Sequence, residues 1–457
     1  MTAAASEDLF ETALADAVIH AGSAPLPDTA IAAAKQCILD WLGCALAGAN
    51  EAPARALAGA FGGELGSGPC TVFTGPSMAH PSVAALINGT ASHTIELDDI
   101  YSPALYHPGA PVIAAALAAS QSVDGSGELL LRSVIVGYEL SNRIGARINP
   151  DHYKFWHTTG TIGTLGAAFA AACALALTRE QVAWSIGHAA TMAAGLQQAF
   201  RSDGMTKPLH AGRAAEGGLL AARGARFGLT GSKGMISGAL GLGRAMADVA
   251  DWDGVLDDYF QAFTIEATTF KRFSACGHAF AAIDGALELV PTCRNDLATL
   301  STITVSTYRK AIDVAGIARP ASSFEAKFSI PFCVAAAVCG WDLTAPKTLE
   351  RAIRDPAVME LAAKVRLETE PGLDRAFPKM RGAMVTFGFQ DGRERRSVVP
   401  TRKGEPSNPL SHEELRAKFL RVTGDAWSPS VADRVARWVD CLDHAESVDP
   451  ISTILLS

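Results

Sequence analysis

The sequence predicts a mainly α-helical protein with a large all-helical domain and a smaller α+β domain. Apolar residues recur at three- and four-residue spacing through about the first 265 residues, which is the pattern of amphipathic helices. Alanine and glycine dominate, and aromatic residues make up only 7% of the chain. Alternating strand patterns appear only later. With 457 residues, the chain is long enough for two or three domains.

The predicted helices of the first domain follow one another along the chain. The clearest cover 29–48, 82–93, 111–122, 128–147 and 179–195, and a short strand is predicted at 69–73. Segment 158–178 is uncharged and long enough to suggest a membrane span. Its small residues, followed by Arg179 and Glu180, favour a buried central helix instead.

The pattern changes after Lys271. A helix is predicted over 274–290 and another over 324–339, and the alternation of residues predicts strands at 300–308 and 365–370. A hairpin follows, with strands 383–389 and 395–399 around Asp391-Gly392. The tail, 411–445, returns to helix. We therefore predict three segments: an all-helical domain (1–267), an α+β domain (268–402) and C-terminal helices that pack back on the helical domain (403–457).

Composition excludes several classes of protein. A net charge of −8 and the lack of a lysine- or arginine-rich run argue against nucleic acid as a partner. Nine scattered cysteines without a C-x-x-C motif indicate reduced, buried thiols and a cytoplasmic protein. The acidic segment 1–14 does not resemble a signal peptide, and no membrane partner is expected. The glycines at 238–243 lack both the spacing and the preceding strand of a dinucleotide-binding loop.

Four basic residues stand at predicted helix N-termini: His107, His157, Lys207 and Lys271. Unpaired N–H groups and the helix dipole make such ends attractive to anions. The same field favours neutral imidazole and amine groups, which are better proton acceptors. If these helix ends converge, they form a pocket for a small polycarboxylate that already contains proton-transfer groups.

The densest polar stretch of the chain precedes His107. On a helix, His93 and Glu96 would share a face, with Asp99 three residues further on. The cluster is open to three interpretations: a proton-handling group, a helix-capping turn, or a metal site. We expect no metal, because no H-E-x-x-H pattern or cysteine ligand set accompanies it. His210 lies one turn beyond Lys207.

The chain resembles the MmgE/PrpD family along nearly its whole length, from about residue 8 to 440. The most specific block is D-G-x-x-K-x-x-H-x-G, which runs from Asp203 to Gly212. The other matching segments are 40–43 (DWLG), 96–99 (ELDD), 107–109 (HPG), 137–139 (GYE), His157 with its Gly/Ala helix, 270–272 (FKR) and 326–331 (AKFSIP).

This resemblance implies a two-domain fold, a homodimer, and no required metal or organic cofactor. Family members include 2-methylcitrate dehydratase, cis-aconitate decarboxylase and iminodisuccinate epimerase. The decarboxylase site residues carry over to His107, His157, Lys207, Lys271 and Tyr308. Two positions depart from that pattern: Glu96 stands in the aspartate position and Ile100 in the threonine position.

The resemblance therefore implies a cofactor-independent enzyme that makes and breaks a C–H bond alpha to a carboxylate. Because Glu96 and Ile100 depart from the lyase pattern, we predict an epimerase of the iminodisuccinate type. The alternatives are a 2-methylcitrate-type dehydratase, a cis-aconitate-type decarboxylase, a non-catalytic small-anion-binding protein and a metal hydrolase.

Each predicted site residue is given a role. Lys207 and His157 are expected to carry protons with the help of His107, and Asp99 is expected to orient His107. Lys271 is expected to bind a carboxylate of the substrate. All the residues with expected substrate-binding roles are Lys271, Glu96, His210 and Tyr308.

Overall fold

In the computed structural model, residues 9–202 and 204–456 are described. They form two compact units, one of Met1–Thr269 with His412–Ser457 and one of Phe270–Ser411. The predicted fold class, mainly α with a smaller α+β unit, is confirmed. Segment 403–411 stays with the second unit, since the Phe270 N–H donates to the Gly404 carbonyl at 3.0 Å.

The first unit is a helical assembly around one central helix. Its helices are α1 (Leu9–Ser23), α2 (Asp28–Gly48), α3 (Ala52–Ala60), α4 (Pro81–Thr94), α5 (Gly109–Gln121), α6 (Gly127–Ile148), α7 (Thr158–Ala174), α8 (Arg179–Met192), α9 (Thr206–Arg226), α10 (Leu242–Ala247), α18 (His412–Thr423), α19 (Pro429–Asp440) and α20 (Pro450–Leu456). Every residue of α7 is buried, and α5, α6 and α9 pack around it. Its glycines and alanines allow this close packing. Strands β1 (Leu65–Val72) and β2 (Ser77–Ala79) pair antiparallel.

The second unit contains a four-stranded sheet with the order β4-β3-β5-β6. Its strands are β3 (Leu300–Thr307), β4 (Val365–Thr369), β5 (Ala383–Phe389) and β6 (Glu394–Val399). Its helices are α11 (Phe280–Leu289), α12 (Arg309–Ala315), α13 (Ser323–Ala326), α14 (Ile330–Val338), α15 (Thr348–Ala352), α16 (Pro356–Ala362) and α17 (Pro371–Ala376). Strands β3 and β4 run parallel, and β5–β6 is the predicted hairpin. Helix α11 packs on β5 and β6.

Two predicted helices of the second unit are wrong in extent. Segment 324–339 is two helices, because Ser329 interrupts it and its hydroxyl accepts from the Phe332 N–H at 3.1 Å as a new N-cap. The helix predicted over 274–290 begins only at Phe280. The backbone before it bonds to other segments, since the Ser274 N–H donates to the Leu343 carbonyl at 2.8 Å.

Helix α2 alone among the described helices has the length and apolar character of a membrane span. Most of its residues are buried within the first unit, against α4 and α18. It also carries the buried carboxylate of Asp40, which pairs with Lys418. These contacts are typical of a core helix.

Close packing of α9 against α4 leads to a stability prediction. A Cβ at Gly212 would lie 2.1 Å from Thr90 Oγ1 and 2.3 Å from the Leu86 carbonyl oxygen, which is too close. A Cβ at Gly217 would lie 3.5 Å from Thr164 Cγ2, which is an ordinary van der Waals contact. Gly212→Ala should therefore destabilise the protein by about 1–3 kcal/mol, through overpacking. Gly217→Ala should stabilise it by up to about 1 kcal/mol, because alanine favours helix. Thermal unfolding of both variants measures this, and equal shifts would contradict the packing argument.

Candidate active site

Three of the four predicted basic residues lie near helix N-termini in the first unit. His157 is the N-cap residue of α7, and Lys207 is the second residue of α9. His107 lies two residues before α5 begins, and its backbone N–H donates to Thr159 Oγ1 in the first turn of α7 at 3.2 Å. The fourth, Lys271, belongs to the second unit. Because α11 begins only at Phe280, Lys271 is not at a helix N-terminus, and this part of the prediction is wrong.

Four histidines of the first unit, His93, His107, His157 and His210, form one continuous cluster. The His93 ring lies 5.0 Å from His107 and stacks on His157 at 5.5 Å between centroids. His157 Nδ1 is 3.1 Å from His210 Nδ1, within hydrogen-bonding distance. Phe200 packs edge-on against His157 at 4.9 Å. Phe200 has no role in the site predicted from the sequence, and His93 enters that prediction only as part of the acidic stretch.

Lys207 joins this cluster through Phe200 and Glu96. Its ammonium lies 5.2 Å from the centre of the Phe200 ring and forms an ion pair with Glu96. Glu96 adopts a left-handed backbone, with φ of 61°, which is unusual for a residue other than glycine. Since α4 ends at Thr94, the expected helical face shared by His93 and Glu96 does not form. The turn at Glu96 directs its carboxylate to Lys207 instead.

Asp98, rather than Asp99, contacts His107. Asp98 Oδ2 lies 2.6 Å from His93 Nδ1 and 3.3 Å from His107 Nδ1. Burial alone would raise the pKa of Asp98, but the two histidines together hold it well below its usual value. Asp98 therefore stays ionised and orients both imidazoles, a role that the sequence analysis gave to Asp99.

Asp99 lies in a separate buried network. Its carboxyl group accepts from the Gly109 N–H at 3.0 Å and from the Tyr138 hydroxyl at 2.9 Å. Burial raises the pKa of Asp99 to about 8, and the neighbouring carboxylates Asp40 and Asp98 add to the effect. Asp99 thus supports the start of α5 and does not contact His107.

Two of the histidines are neutral at physiological pH. Burial lowers the pKa of His157 well below its usual value, and the positive charges of His93 and Lys207 lower it further. The pKa of His210 falls to about 4, again mainly through burial. A neutral imidazole accepts a proton or donates one hydrogen bond, but it does not supply an acidic proton. His107, whose side chain is 16% exposed, is more accessible than fully buried His93.

Three of these side chains could also serve a metal ion. Ligand atoms of His93, Asp98 and His107 lie within 4.8 Å of one another. However, His93 Nδ1 lies 2.6 Å from Asp98 Oδ2, which fits an N–H group that donates to a carboxylate. The geometry favours the proton-handling interpretation, and the expected absence of a metal stays a prediction.

A cavity of about 540 Å³ approaches the cluster from the side of His210. Its lining includes Gly160, Thr164, Thr206 and Arg213. Among the described residues, its lining contains neither Lys207 nor His107. We therefore place the chemistry at the imidazole cluster and not in this cavity.

The other two predicted residues belong to the second unit. Tyr308 follows β3 and is 1% exposed, and Lys271 lies in a loop and is 7% exposed. Burial raises the pKa of Tyr308 to about 12, so the phenol is protonated and can donate. The convergence of Lys271 and Tyr308 with the first-unit residues stays a prediction. Asp203, the first residue of the D-G-x-x-K-x-x-H-x-G block, lies outside the described residues.

Comparison with known proteins agrees with the resemblance seen in the sequence. Residues 12–254 match the MmgE/PrpD N-terminal domain, and residues 273–444 match the MmgE/PrpD C-terminal domain. The chain is 30% identical to a human (Homo sapiens) cis-aconitate decarboxylase, over 94% of this chain and 91% of that protein. It is 25% identical to the cis-aconitate decarboxylase of Aspergillus terreus, over 94% and 92% of the two chains. The chain therefore belongs to the MmgE/PrpD family.

Proposed function

We propose that this protein is a lyase that removes one carboxylate from a small tricarboxylate of the cis-aconitate type. The observation that carries this proposal is that four imidazoles, Asp98 and the Lys207–Glu96 pair lie in one cluster. The similarity to cis-aconitate decarboxylases supports a lyase better than the epimerase predicted from the sequence. We further propose a cytoplasmic homodimer that uses no metal or organic cofactor.

The proposed decarboxylation needs one acid that donates a proton and one group that stabilises the negative charge formed on the substrate. The bond between the methylene carbon and its carboxylate breaks, and CO₂ leaves. The released electron pair forms a new double bond between the methylene carbon and the central carbon. The electrons of the original double bond then take up one proton at the other alkene carbon. The trianion thus gains H⁺ and loses CO₂ to become a dianion with five carbons. Charge accumulates beside a carboxylate, where cations and N–H donors stabilise it.

The residues of the cluster divide these tasks. The Lys207 ammonium binds the substrate carboxylate and stabilises the developing charge, while Glu96 holds it in place. His107 supplies the proton, because the ionised Asp98 beside it stabilises an imidazolium. His157, which is neutral, donates a hydrogen bond or accepts a proton but is not the acid.

The epimerase remains the second candidate because of Glu96 and Ile100. Ile100 presents an apolar side chain where the family resemblance implies a threonine hydroxyl. Its backbone is fixed by paired hydrogen bonds with Thr269, each of 2.8 Å. An epimerase has no leaving group to stabilise, so the loss of a hydroxyl would matter less to it.

Incubation of the pure protein with cis-aconitate in deuterated water separates these reactions. A lyase of the proposed type releases CO₂ and leaves one deuterium on the former alkene carbon of the product, as detected by NMR and mass spectrometry. The matched His107→Gln variant, prepared in parallel, should lose this activity and controls for contaminating enzymes. In a parallel incubation with a chiral dicarboxylate, deuterium exchange into that compound with both carboxylates retained would support the epimerase instead. Dehydration of a 2-methylcitrate-like acid would support the dehydratase.

A further inference from the structure

The imidazoles of His157 and His210 meet through the same ring nitrogen of each. His157 Nδ1 lies 3.1 Å from His210 Nδ1. Burial lowers the pKa of both groups, so each ring is neutral and carries one N–H and one lone pair. A hydrogen bond between the two Nδ1 atoms uses one N–H and one lone pair. The two rings therefore take opposite tautomers, one with its proton on Nδ1 and the other with its proton on Nε2.

Packing on two sides holds the His157 ring in this orientation. The ring stacks on His93, with 5.5 Å between centroids and 23° between the planes. Phe200 packs edge-on against it at 4.9 Å, and His157 is 1% exposed. Because these contacts oppose a flip of the ring, the chemistry of His157 depends on which of its nitrogens carries the proton.

The backbone at Gly195 fixes the spacing of the two histidines. Its carbonyl accepts from the His157 N–H at 2.9 Å, and a Cβ at this position would lie 3.3 Å from His210 Nδ1. The residue has a φ of 147°, which glycine adopts without strain. Gly195 therefore contacts the backbone of one histidine and the ring of the other, so the distance between the two rings is set by the fold.

The two rings differ in their access to water. His210 is half-buried and lines the cavity of about 540 Å³, whereas His157 is 1% exposed. A lone pair on His210 Nε2 can therefore accept a hydrogen bond from solvent at little cost. A lone pair on His157 Nε2 would repel an anionic substrate, whereas an N–H at the same atom would attract it. Both differences favour the proton on His210 Nδ1 and on His157 Nε2.

We propose that His210 is a positioning residue whose Nδ1–H donates to His157 Nδ1 and holds His157 in the tautomer whose Nε2–H donates to the anionic substrate. The hydrogen bond made by one ring nitrogen of a histidine decides the state of the other. This role differs from the direct substrate contact that the sequence predicts for His210. It rests on the proposed function only for the negative charge of the substrate.

Solution ¹⁵N NMR of the full-length protein, labelled in its histidines, tests this inference, because protonated and lone-pair ring nitrogens have well-separated chemical shifts. Loss of signals in His157→Gln and in His210→Asn assigns the two rings. In the parent protein, the proton should lie on Nε2 of His157 and on Nδ1 of His210. His210→Leu removes the donor but keeps much of the side-chain volume. His157 should then lose its single tautomer, and its two nitrogen signals should move towards each other.

The same variants have a kinetic readout. His210→Leu should lower kcat for cis-aconitate by about 10- to 100-fold with a smaller change in KM, because His157 no longer presents a fixed N–H. His210→Asn places an amide N–H near the position of Nδ1 and should keep kcat within about fivefold of the parent. The control His188→Leu removes a half-buried histidine of α8 and should leave kcat and the His157 signals unchanged.

The outcomes separate this inference from the proposed function. A proton on Nδ1 of His157 in the parent, or unchanged His157 signals in folded His210→Leu, would overturn the inference, whatever the turnover with cis-aconitate. An Nε2–H tautomer of His157 that depends on His210, in a protein without turnover, would support the inference and overturn the proposed lyase. If His210→Leu does not fold by circular dichroism, the parent spectrum decides. Protons on His210 Nδ1 and His157 Nε2 then support the inference, and any other arrangement overturns it.

Discussion

Replacing Lys207 with methionine is expected to lower kcat/KM for the tricarboxylate by about 10²- to 10⁴-fold. The change removes the ammonium group that lies against both Glu96 and the Phe200 ring, while methionine retains much of the apolar stem. Because Glu96 is 35% exposed, its carboxylate can be solvated after the change, so the melting temperature should move little. Steady-state kinetics and thermal unfolding of the same preparation measure both quantities.

Lys154→Met is the matched control for this prediction. Lys154 also lies in the first unit, is 66% exposed, and pairs with Asp151 at the surface. Such pairs contribute about 0–1 kcal/mol, so activity and stability should both be retained. Full activity in Lys207→Met would show that the Lys207–Glu96 pair is structural, and the role proposed for Lys207 would be wrong.

Hydrophobic periodicity was enough to predict several helices of the first unit, among them α2, α4, α5, α6 and α8. The predicted helix 128–147 corresponds to Gly127–Ile148, where the Ser126 hydroxyl accepts from the Leu129 N–H at 3.2 Å as an N-cap. The strands of the second unit were predicted for a similar reason, since alternation along β5 matches its alternating burial. Capping and periodicity signals of this kind involve residues only a few positions apart in the chain. They can therefore be read from a single sequence.

The choice between Asp98 and Asp99 needed three-dimensional information. The two aspartates are adjacent in the chain, yet the Asp98 carboxylate meets the histidines and the Asp99 carboxyl group meets Tyr138. The sequence alone does not show which of the two neighbouring aspartates contacts the histidines and which contacts Tyr138. That depends on the left-handed turn at Glu96, which no glycine marks.

The start of α11 was not predictable for a different reason. Segment 274–279 has helix-compatible composition, but its N–H groups bond to distant segments, as the Cys276 N–H does to the Lys327 carbonyl at 2.8 Å. The close approach of Arg402 to Gly277 also involves residues far apart in the chain. Contacts of this range leave no periodic pattern in a single sequence.

The largest expected loss of stability follows from Lys418→Met. Lys418 is 5% exposed, forms an ion pair with Asp40, and donates to the Leu97 carbonyl at 2.9 Å. Burial alone would lower the pKa of Lys418, but Asp40 and then Asp98 outweigh that effect and raise it. Removing the ammonium would leave Asp40 buried near Asp98 and Asp99 without its cation. A loss of about 3–5 kcal/mol is expected, which corresponds to a fall of about 3–8 °C in Tm for a unit or chain of this length.

A double-mutant cycle distinguishes this electrostatic cause from simple loss of packing. Asp40→Asn removes the charge that Lys418 neutralises, so Asp40→Asn with Lys418→Met should be less destabilising than the sum of the two single changes. Lys35→Met is the control, because Lys35 is more exposed and contacts Asp443 and the Asp440 carbonyl in the C-terminal region. Additive losses would mean that the Asp40–Lys418 pair acts through packing alone. Non-additive losses would show that docking of α18 supplies the cation that lets α2 and the segment 97–99 carry three acids beside the histidine cluster.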